Sequence, residues 1–134
     1  LKPNREQRRL AEFMRRNGVD IIIGSHPHVV QPAECTADGV TLYSLGNFVS
    51  NQRTTPRDGG LVATIDIEIV DSLSKEGQTI KSHTNYALRL TPVWVHLPDY
   101  AILPPEIGDT LPMTPDSRFR YNRFMRDART RLNL

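Results

Sequence analysis

Two histidines one residue apart, His26 and His28, are the residues whose types and spacing point most directly to chemistry. They lie in the segment Gly24-Ser25-His26-Pro27-His28, which follows the nearly all-apolar run 19–23. In extended backbone, residues i and i+2 point to the same side, so both rings would face one or two metal ions. Pro27 stiffens the spacer and lowers the entropy lost in bringing two ligands together. The alternative is a structural loop, with one ring bonded to a backbone carbonyl and the other in solvent, because two imidazoles do not complete a metal site.

Ser25 and Asn47 are the polar side chains best placed to assist such a loop. Asn47 follows a predicted strand in a Gly-Asn turn, and Ser25 precedes His26. If the sheet brings Asn47 beside the histidines, its amide would orient a ring, a water or a phosphate, and Ser25 would donate to a bound anion. The alternatives are a turn asparagine that tolerates left-handed backbone and a hydroxyl that caps the loop.

Other reactive or charged side chains give weaker indications. Cys35 is the only cysteine, which excludes an internal disulfide and a multi-thiolate zinc site. Arg53 and Arg57 lie in a breaker-rich loop and would either grip an anion or be solvated. We interpret His83 and His96 as structural, because neither has ligand types nearby in the sequence. These patterns leave the catalytic residues unassigned.

Helix and strand signals place the histidine loop at the end of a strand. Asn4 and Gln7 form a capping-box pattern that predicts an N-terminal helix stopped at Gly18. The run 19–23 predicts a strand covered on both faces, and residues 40–45 predict a second short strand. A helix that feeds a buried strand is typical of α/β folds, in which ligand loops follow the carboxyl ends of strands.

The second half of the chain predicts a hairpin and a final helix. Residues 51–60 predict an exposed loop, and strict alternation from 61 to 69 predicts a strand with one buried face. Residues 75–78 predict a turn, residues 80–90 the returning strand, and Val93, Val95 and Leu97 its extension. Five prolines in 98–115 predict an irregular strap, and Asp116 predicts the cap of a helix whose apolar stripe comprises Tyr121, Phe124, Met125, Ala128 and Leu132.

The fold class predicted from these elements is α/β, with a mixed β-sheet, flanking helices and a C-terminal antiparallel hairpin. The chain has 134 residues, 38% of them hydrophobic and 24% charged, which fits one globular domain or partial domain over 1–134. We expect no membrane span, because no apolar stretch approaches roughly 20 residues, and we find no targeting signal. The net charge is +2 with basic residues concentrated at both ends, and without a recognised binding motif no nucleic-acid partner is expected.

Two longer motifs resemble the CapA family of bacterial capsule proteins, the poly-gamma-glutamate synthesis proteins whose domain is similar to calcineurin-like metallophosphatases. The resemblance covers about residues 3–70. The motifs that carry it, in this order, are Gly18-Val19-Asp20-Ile21-Ile22-Ile23-Gly24-Ser25-His26-Pro27-His28-Val29-Val30-Gln31-Pro32 and Tyr43-Ser44-Leu45-Gly46-Asn47-Phe48.

This resemblance implies that His26 and His28 are the last metal-ligand motif of a metallophosphatase-like sandwich that binds a divalent metal such as Mn, Zn or Fe. The chain departs from the family's glycine-histidine-x-histidine pattern, because Ser25 separates Gly24 from His26. The family's earlier aspartate, asparagine and histidine elements have no counterpart here. The resemblance therefore implies that the chain is the C-terminal portion of such a domain and that the missing N-terminal portion is its partner.

The resemblance also implies a role in capsule or poly-gamma-glutamate biosynthesis at the cell envelope, with phosphoesterase-like hydrolysis when the domain is complete. Its expected partners are a phosphoester substrate or an anionic polymer. The alternative is a non-catalytic scaffold or polymer-handling module of the envelope in which the histidine loop is structural. Both hypotheses remain open, because a hydrolytic site would need carboxylate ligands and an open water position in addition to two histidines.

Overall fold

The structure is a computed structural model that describes residues 1–75 and 77–134. The predicted turn at 75–78 includes Glu76, which lies outside the described residues. Along the chain the elements are α1 (Arg5–Arg16), β1 (Ile21–Ile23), β2 (Ala33–Thr36), β3 (Gly39–Leu42), β4 (Gly59–Leu73), β5 (Thr79–Val95), β6 (Ile102–Leu103), α2 (Pro105–Gly108) and α3 (Pro115–Leu132). This content confirms the predicted α/β class, with helices beside mixed and antiparallel sheets.

The first sheet has the order β1-β3-β2, in which β1 pairs with β3 in parallel and β2 pairs with β3 antiparallel. The helix α1 begins with the predicted capping box between Asn4 and Gln7. Strand β2 is absent from the sequence prediction, because its residues Ala33–Thr36 are mixed in polarity. The expectation that β1 is covered on both faces is wrong. It is an edge strand of this sheet, and Ile23 is 61% exposed.

The second sheet has the order β4-β5-β6 and contains the predicted hairpin. Strands β4 and β5 pair antiparallel from Gly59 opposite Trp94 to Leu73 opposite Thr79. The prediction of a buried face on β4 holds at Leu61, which is 4% exposed, but is wrong at Ile69, which is 68% exposed. The reason is that the core formed with α3 includes Leu61 and Trp94 at one end of the hairpin, whereas no described β4 residue after Leu61 belongs to that buried cluster.

Three further predictions about the second half are corrected by the structure. The strand β5 ends at Val95, so Leu97 does not extend the sheet. The proline-rich strap contains β6 and the short helix α2, because its prolines fall at the ends of these elements rather than inside them. The cap of α3 is Thr114, whose side chain accepts from the Ser117 amide, and Asp116 lies within the first turn after Pro115.

The core lies where α3 packs on the second sheet, and it contains the predicted apolar stripe of α3. Its buried members are Val30, Leu61, Trp94, Leu103, Tyr121, Phe124, Met125 and Ala128. Leu132, the last member of the predicted stripe, is partly buried against this cluster. Among the described residues no helix combines the length and apolar character needed to cross a membrane.

The two sheets meet where the loop after β3 contacts the start of β4. Gly46 forms an isolated antiparallel bridge with Gly60, and the Asn47 amide donates to the Gly59 carbonyl at 3.0 Å. Gly46 has a φ of +72°, and a Cβ there would lie 2.9 Å from the Gly59 carbonyl oxygen. Glycine is therefore required at position 46 both by its backbone conformation and by the close approach. This junction positions the loop that carries Asn47.

Candidate functional site

The histidine loop leaves the carboxyl end of β1 and is held to β3 and its exit loop at both ends. At its start, the Gly24 amide donates to the Leu42 carbonyl. At its end, the Gln31 amide donates to the Ser44 carbonyl at 3.1 Å, and Val30 bridges Leu45. These bonds bring the loop beside the Leu45-Gly46-Asn47 turn. The condition stated in the sequence analysis, that the sheet brings Asn47 beside the histidines, is therefore met.

The backbone of the loop is bent, so the expectation of an extended His26-Pro27-His28 segment is wrong. His26 has a φ of +95° and His28 a φ of +58°. Left-handed backbone at non-glycine residues costs of order 1–3 kcal/mol each and is concentrated at functional sites. The convergence of the two rings therefore cannot be argued from the alternation of an extended strand. The bent segment lies between the backbone contacts that hold the loop at Gly24 and at Gln31.

Asn47 contacts the ring of His28 directly. The amide oxygen Oδ1 of Asn47 lies 2.9 Å from Nδ1 of His28. Asn47 is 8% exposed, whereas His28 is exposed to solvent. A buried amide thus holds one nitrogen of a solvent-facing imidazole.

The orientation of the Asn47 amide is determined by its other partners. Its Nδ2 donates to the Arg57 backbone carbonyl at 2.8 Å and to Oε1 of Gln52 at 3.3 Å. A carbonyl oxygen only accepts hydrogen bonds, so the NH₂ group must face Arg57 and the oxygen must face His28. His28 Nδ1 must then carry the proton that it donates to Asn47. In the neutral ring, Nε2 is left with a free lone pair, which is the form in which histidine binds a metal.

Ser25 and His26, the other predicted site residues, are exposed and make no side-chain hydrogen bond within residues 1–75 and 77–134. The part of the chain that the structure describes contains no group of three or more His, Cys, Asp or Glu side chains arranged to hold a metal ion. The structure therefore shows one oriented imidazole, on His28, and an exposed imidazole, on His26, in the same loop.

Of the remaining sequence candidates, Arg53 and His96 have side-chain contacts, whereas the side chains of Arg57 and His83 are exposed. Arg53 donates to the Val95 carbonyl at 2.8 Å and lies over the ring of Trp94, with its guanidinium carbon 5.3 Å from the ring centroid. The side chain of Arg57 is exposed, and its carbonyl is the group that contacts Asn47. His96 bonds to Asp99 at 3.0 Å and packs edge-on against Trp94, and this hydrogen bond lowers the pKa of the Asp99 carboxyl. His83 is exposed on the hairpin.

Sequence reasoning missed two buried polar residues that support the site. Gln31 is 5% exposed, and its Oε1 accepts from Nε2 of Gln7 at 2.9 Å, which ties the end of the histidine loop to α1. Asp58 is fully buried, although it lies in a segment predicted to be an exposed loop, and that prediction is wrong for 58–60. Its carboxyl accepts from Nε1 of Trp94 at 3.1 Å. No local sequence signal marks either residue, because each finds its partner at a distant position.

Part of this chain, including the histidine loop, is similar to a known protein family. Residues 1–52 match the family described as bacterial capsule synthesis protein PGA_cap. The N-terminal part of this chain is therefore similar to that family. This confirms the resemblance carried by the two motifs, and the matched residues include His26, His28 and Asn47.

Two curated relatives share this segment. The PGA biosynthesis protein CapA of Bacillus subtilis (strain 168) is 52% identical over 61 residues, which is 45% of this chain and 16% of that protein. The capsule biosynthesis protein CapA of Bacillus anthracis is 47% identical over 62 residues, which is 46% of this chain and 15% of that protein. The aligned part thus spans about one sixth of each relative. No solved structure matches this chain.

Proposed function

We propose that this chain is part of a CapA-like protein of capsule or poly-gamma-glutamate biosynthesis and that His26 and His28 supply ligands to a divalent-metal site. The names of the two curated relatives support the capsule role. The observation that supports the metal role is the orientation of His28, whose Nδ1 is bonded to Asn47 Oδ1 at 2.9 Å. A histidine that binds a metal through one ring nitrogen usually donates the N–H of its other ring nitrogen to such an oxygen acceptor. We place the complete protein at the cell envelope.

The residues of this chain fit a metal in part. His28 offers Nε2, and His26 offers an exposed ring on the same loop. Mn, Zn and Fe all accept imidazole nitrogen. Further ligands would come from outside the described residues, which contain no cluster of three or more suitable side chains. In the proposed assembly, the missing portion of the domain is the partner that supplies them.

The roles of the chain's own residues follow from their positions. His28 binds through Nε2 while Asn47 keeps the proton on Nδ1 and prevents the ring from rotating. Ser25, exposed next to His26, would donate its hydroxyl to an oxygen of an anionic substrate. The metal, when bound, would activate a water and polarise a phosphoryl oxygen, so the reaction we propose for the complete domain is hydrolysis of a phosphoester.

A second candidate function is a non-catalytic envelope scaffold or a module that handles an anionic polymer. The observation that favours it is the absence of a three-residue ligand cluster within 1–75 and 77–134. In this case the Asn47–His28 contact stabilises the bent loop and has no ligand to orient.

Calorimetric titration of the chain with Mn²⁺ and Zn²⁺ separates the two functions. We expect binding by the wild type and by His83→Ala, which removes an exposed histidine far from the loop in sequence. The double variant His26→Ala, His28→Ala should lose binding, and Asn47→Ala should bind about 10- to 100-fold more weakly, as loss of an outer contact to a ligand typically does. Equal binding by the wild type and the double variant, or no binding by either, would overturn the metal role on this chain.

A further inference from the structure

Asp58 is a buried carboxyl that belongs to neither family motif and lies beyond the matched residues 1–52. Its Oδ2 accepts from Nε1 of Trp94 at 3.1 Å, and its Oδ1 has no hydrogen-bond partner in the described part of the chain. Its backbone carbonyl accepts from the Val95 amide at 3.0 Å. Burying a polar side chain without full pairing is unfavourable, so its position here needs an explanation beyond packing.

The residues on either side of Asp58 both contact Asn47. The Arg57 carbonyl accepts from the Asn47 side chain at 2.8 Å, and the Gly59 carbonyl accepts from the Asn47 backbone amide at 3.0 Å. Segment 57–59 therefore faces Asn47 with two carbonyls, while Asp58 between them bonds to Trp94 and Val95 with its side chain and its carbonyl. Because the Arg57 carbonyl determines which way the Asn47 amide points, the placement of this segment determines which nitrogen of His28 carries the proton.

We propose that Asp58 is a positioning residue for His28. Through its bond to Trp94 it holds segment 57–59, which orients the Asn47 amide, which in turn fixes His28 as the Nδ1–H tautomer with Nε2 free. The metal-ligand part of this role rests on the proposed function, whereas the effect on the tautomer does not. A contact to Trp94 on the second sheet thus determines the tautomer of His28, which lies in the loop that follows β1 of the first sheet.

The test compares Asp58→Leu with Asp58→Asn. Leucine has a similar shape but removes the acceptor for Trp94, whereas asparagine keeps an acceptor oxygen. The readout is the tautomer of His28 in the folded protein at neutral pH, measured from the nitrogen shifts of the ring by NMR. We expect the Nδ1–H form in the wild type and in Asp58→Asn, and a mixture of both tautomers in Asp58→Leu. A merely structural role would lower the stability of Asp58→Leu and leave the tautomer unchanged.

A second variant covers the case in which Asp58→Leu does not fold. Trp94→Phe keeps most of the ring in the core but removes the N–H that holds Asp58, and it should also shift the tautomer of His28. An Nε2–H form in the wild type, or an unchanged Nδ1–H form in a folded variant, would overturn the inference.

Zinc titration of the same variants tests the metal part separately. If the proposed function holds, Asp58→Leu should bind zinc about tenfold more weakly than Asp58→Asn. A tautomer shift in Asp58→Leu without zinc binding by any form would refute the proposed metal role and retain the positioning role. Zinc binding by all forms with an unchanged tautomer would do the reverse.

Discussion

The junction between the two sheets predicts how three glycine substitutions differ in their effect on stability. Gly46 has a φ of +72°, and a Cβ there would meet the Gly59 carbonyl oxygen at 2.9 Å. Gly18 has a φ of +84° but no atom within 4 Å of the same position. Gly60 has no positive φ, yet its Cβ would lie 2.4 Å from the Asn47 carbonyl oxygen. Comparison of the three alanine variants therefore distinguishes the cost of backbone strain from the cost of the close approach of the two sheets.

The expected magnitudes follow from these contacts. Gly18→Ala should lower the free energy of unfolding by about 1–2 kcal/mol, the cost of left-handed backbone with a Cβ. Gly60→Ala should lower it by about 1–3 kcal/mol, the range for forcing atoms into a packed contact. Gly46→Ala combines both effects and should lower it by about 2–5 kcal/mol.

Urea unfolding followed by tryptophan fluorescence measures these differences, because the protein has one tryptophan, Trp94, and it is fully buried. The slope of free energy against urea should be unchanged among the variants, which would show that stability rather than compactness differs. If Gly46→Ala were no more destabilising than Gly18→Ala, the close contact between the loop after β3 and the start of β4 would be refuted.

Two further predictions concern the core under α3. Phe124 is fully buried, and its ring occupies the space that a Cβ on Gly59 would enter, so Phe124→Ala should lower the free energy of unfolding by about 3–5 kcal/mol in urea titration. A loss near zero would contradict its place in the core. Burial and the neighbouring Asp109 carboxyl raise the pKa of Tyr121 above its usual 10.0, so its contribution to stability is complete below pH 10.0 and declines as the pH rises above that value. The decline should be smaller in Tyr121→Phe when unfolding is measured across this range, and equal slopes would contradict the assignment.

The elements that the sequence predicts correctly are those with local signals. The capping box at Asn4 and Gln7, the alternation in β4 and the apolar stripe of α3 each depend on residues a few positions apart. The covered faces of β1 and of the far hairpin are predicted wrongly, because alternation reports which side chains share a face and not whether another layer covers that face. The sequence predicts Asp116 rather than Thr114 as the cap of α3, because threonine and aspartate both cap helices and the two residues lie only two positions apart.

The residue types of the candidate site could be predicted from the sequence, whereas the backbone features that orient them could not. His26, His28, Ser25 and Asn47 are visible in the sequence as a loop and a turn, and the structure places Asn47 against His28. The group that orients Asn47 is the backbone carbonyl of Arg57, which no residue type reveals. The positive φ of His26 and His28 is equally invisible, since Pro27 restricts only His26, and it does so without specifying a left-handed conformation.

The residues that orient Asn47 follow the segment matched by the family model. Residues 1–52 contain both histidines and Asn47, whereas the carbonyl of Arg57, the glycines 59 and 60 and the side chain of Asp58 come after them. A ligand loop needs surrounding contacts that hold its rings in one orientation, and here they come from residues 57–59, where the chain enters β4, and from Trp94 on β5. Residues 57–60 must therefore present a carbonyl to Asn47 and a glycine opposite Gly46 for the loop to keep this arrangement. Exchange of segment 53–60 between this chain and a CapA relative should preserve the His28 tautomer only when both conditions are met.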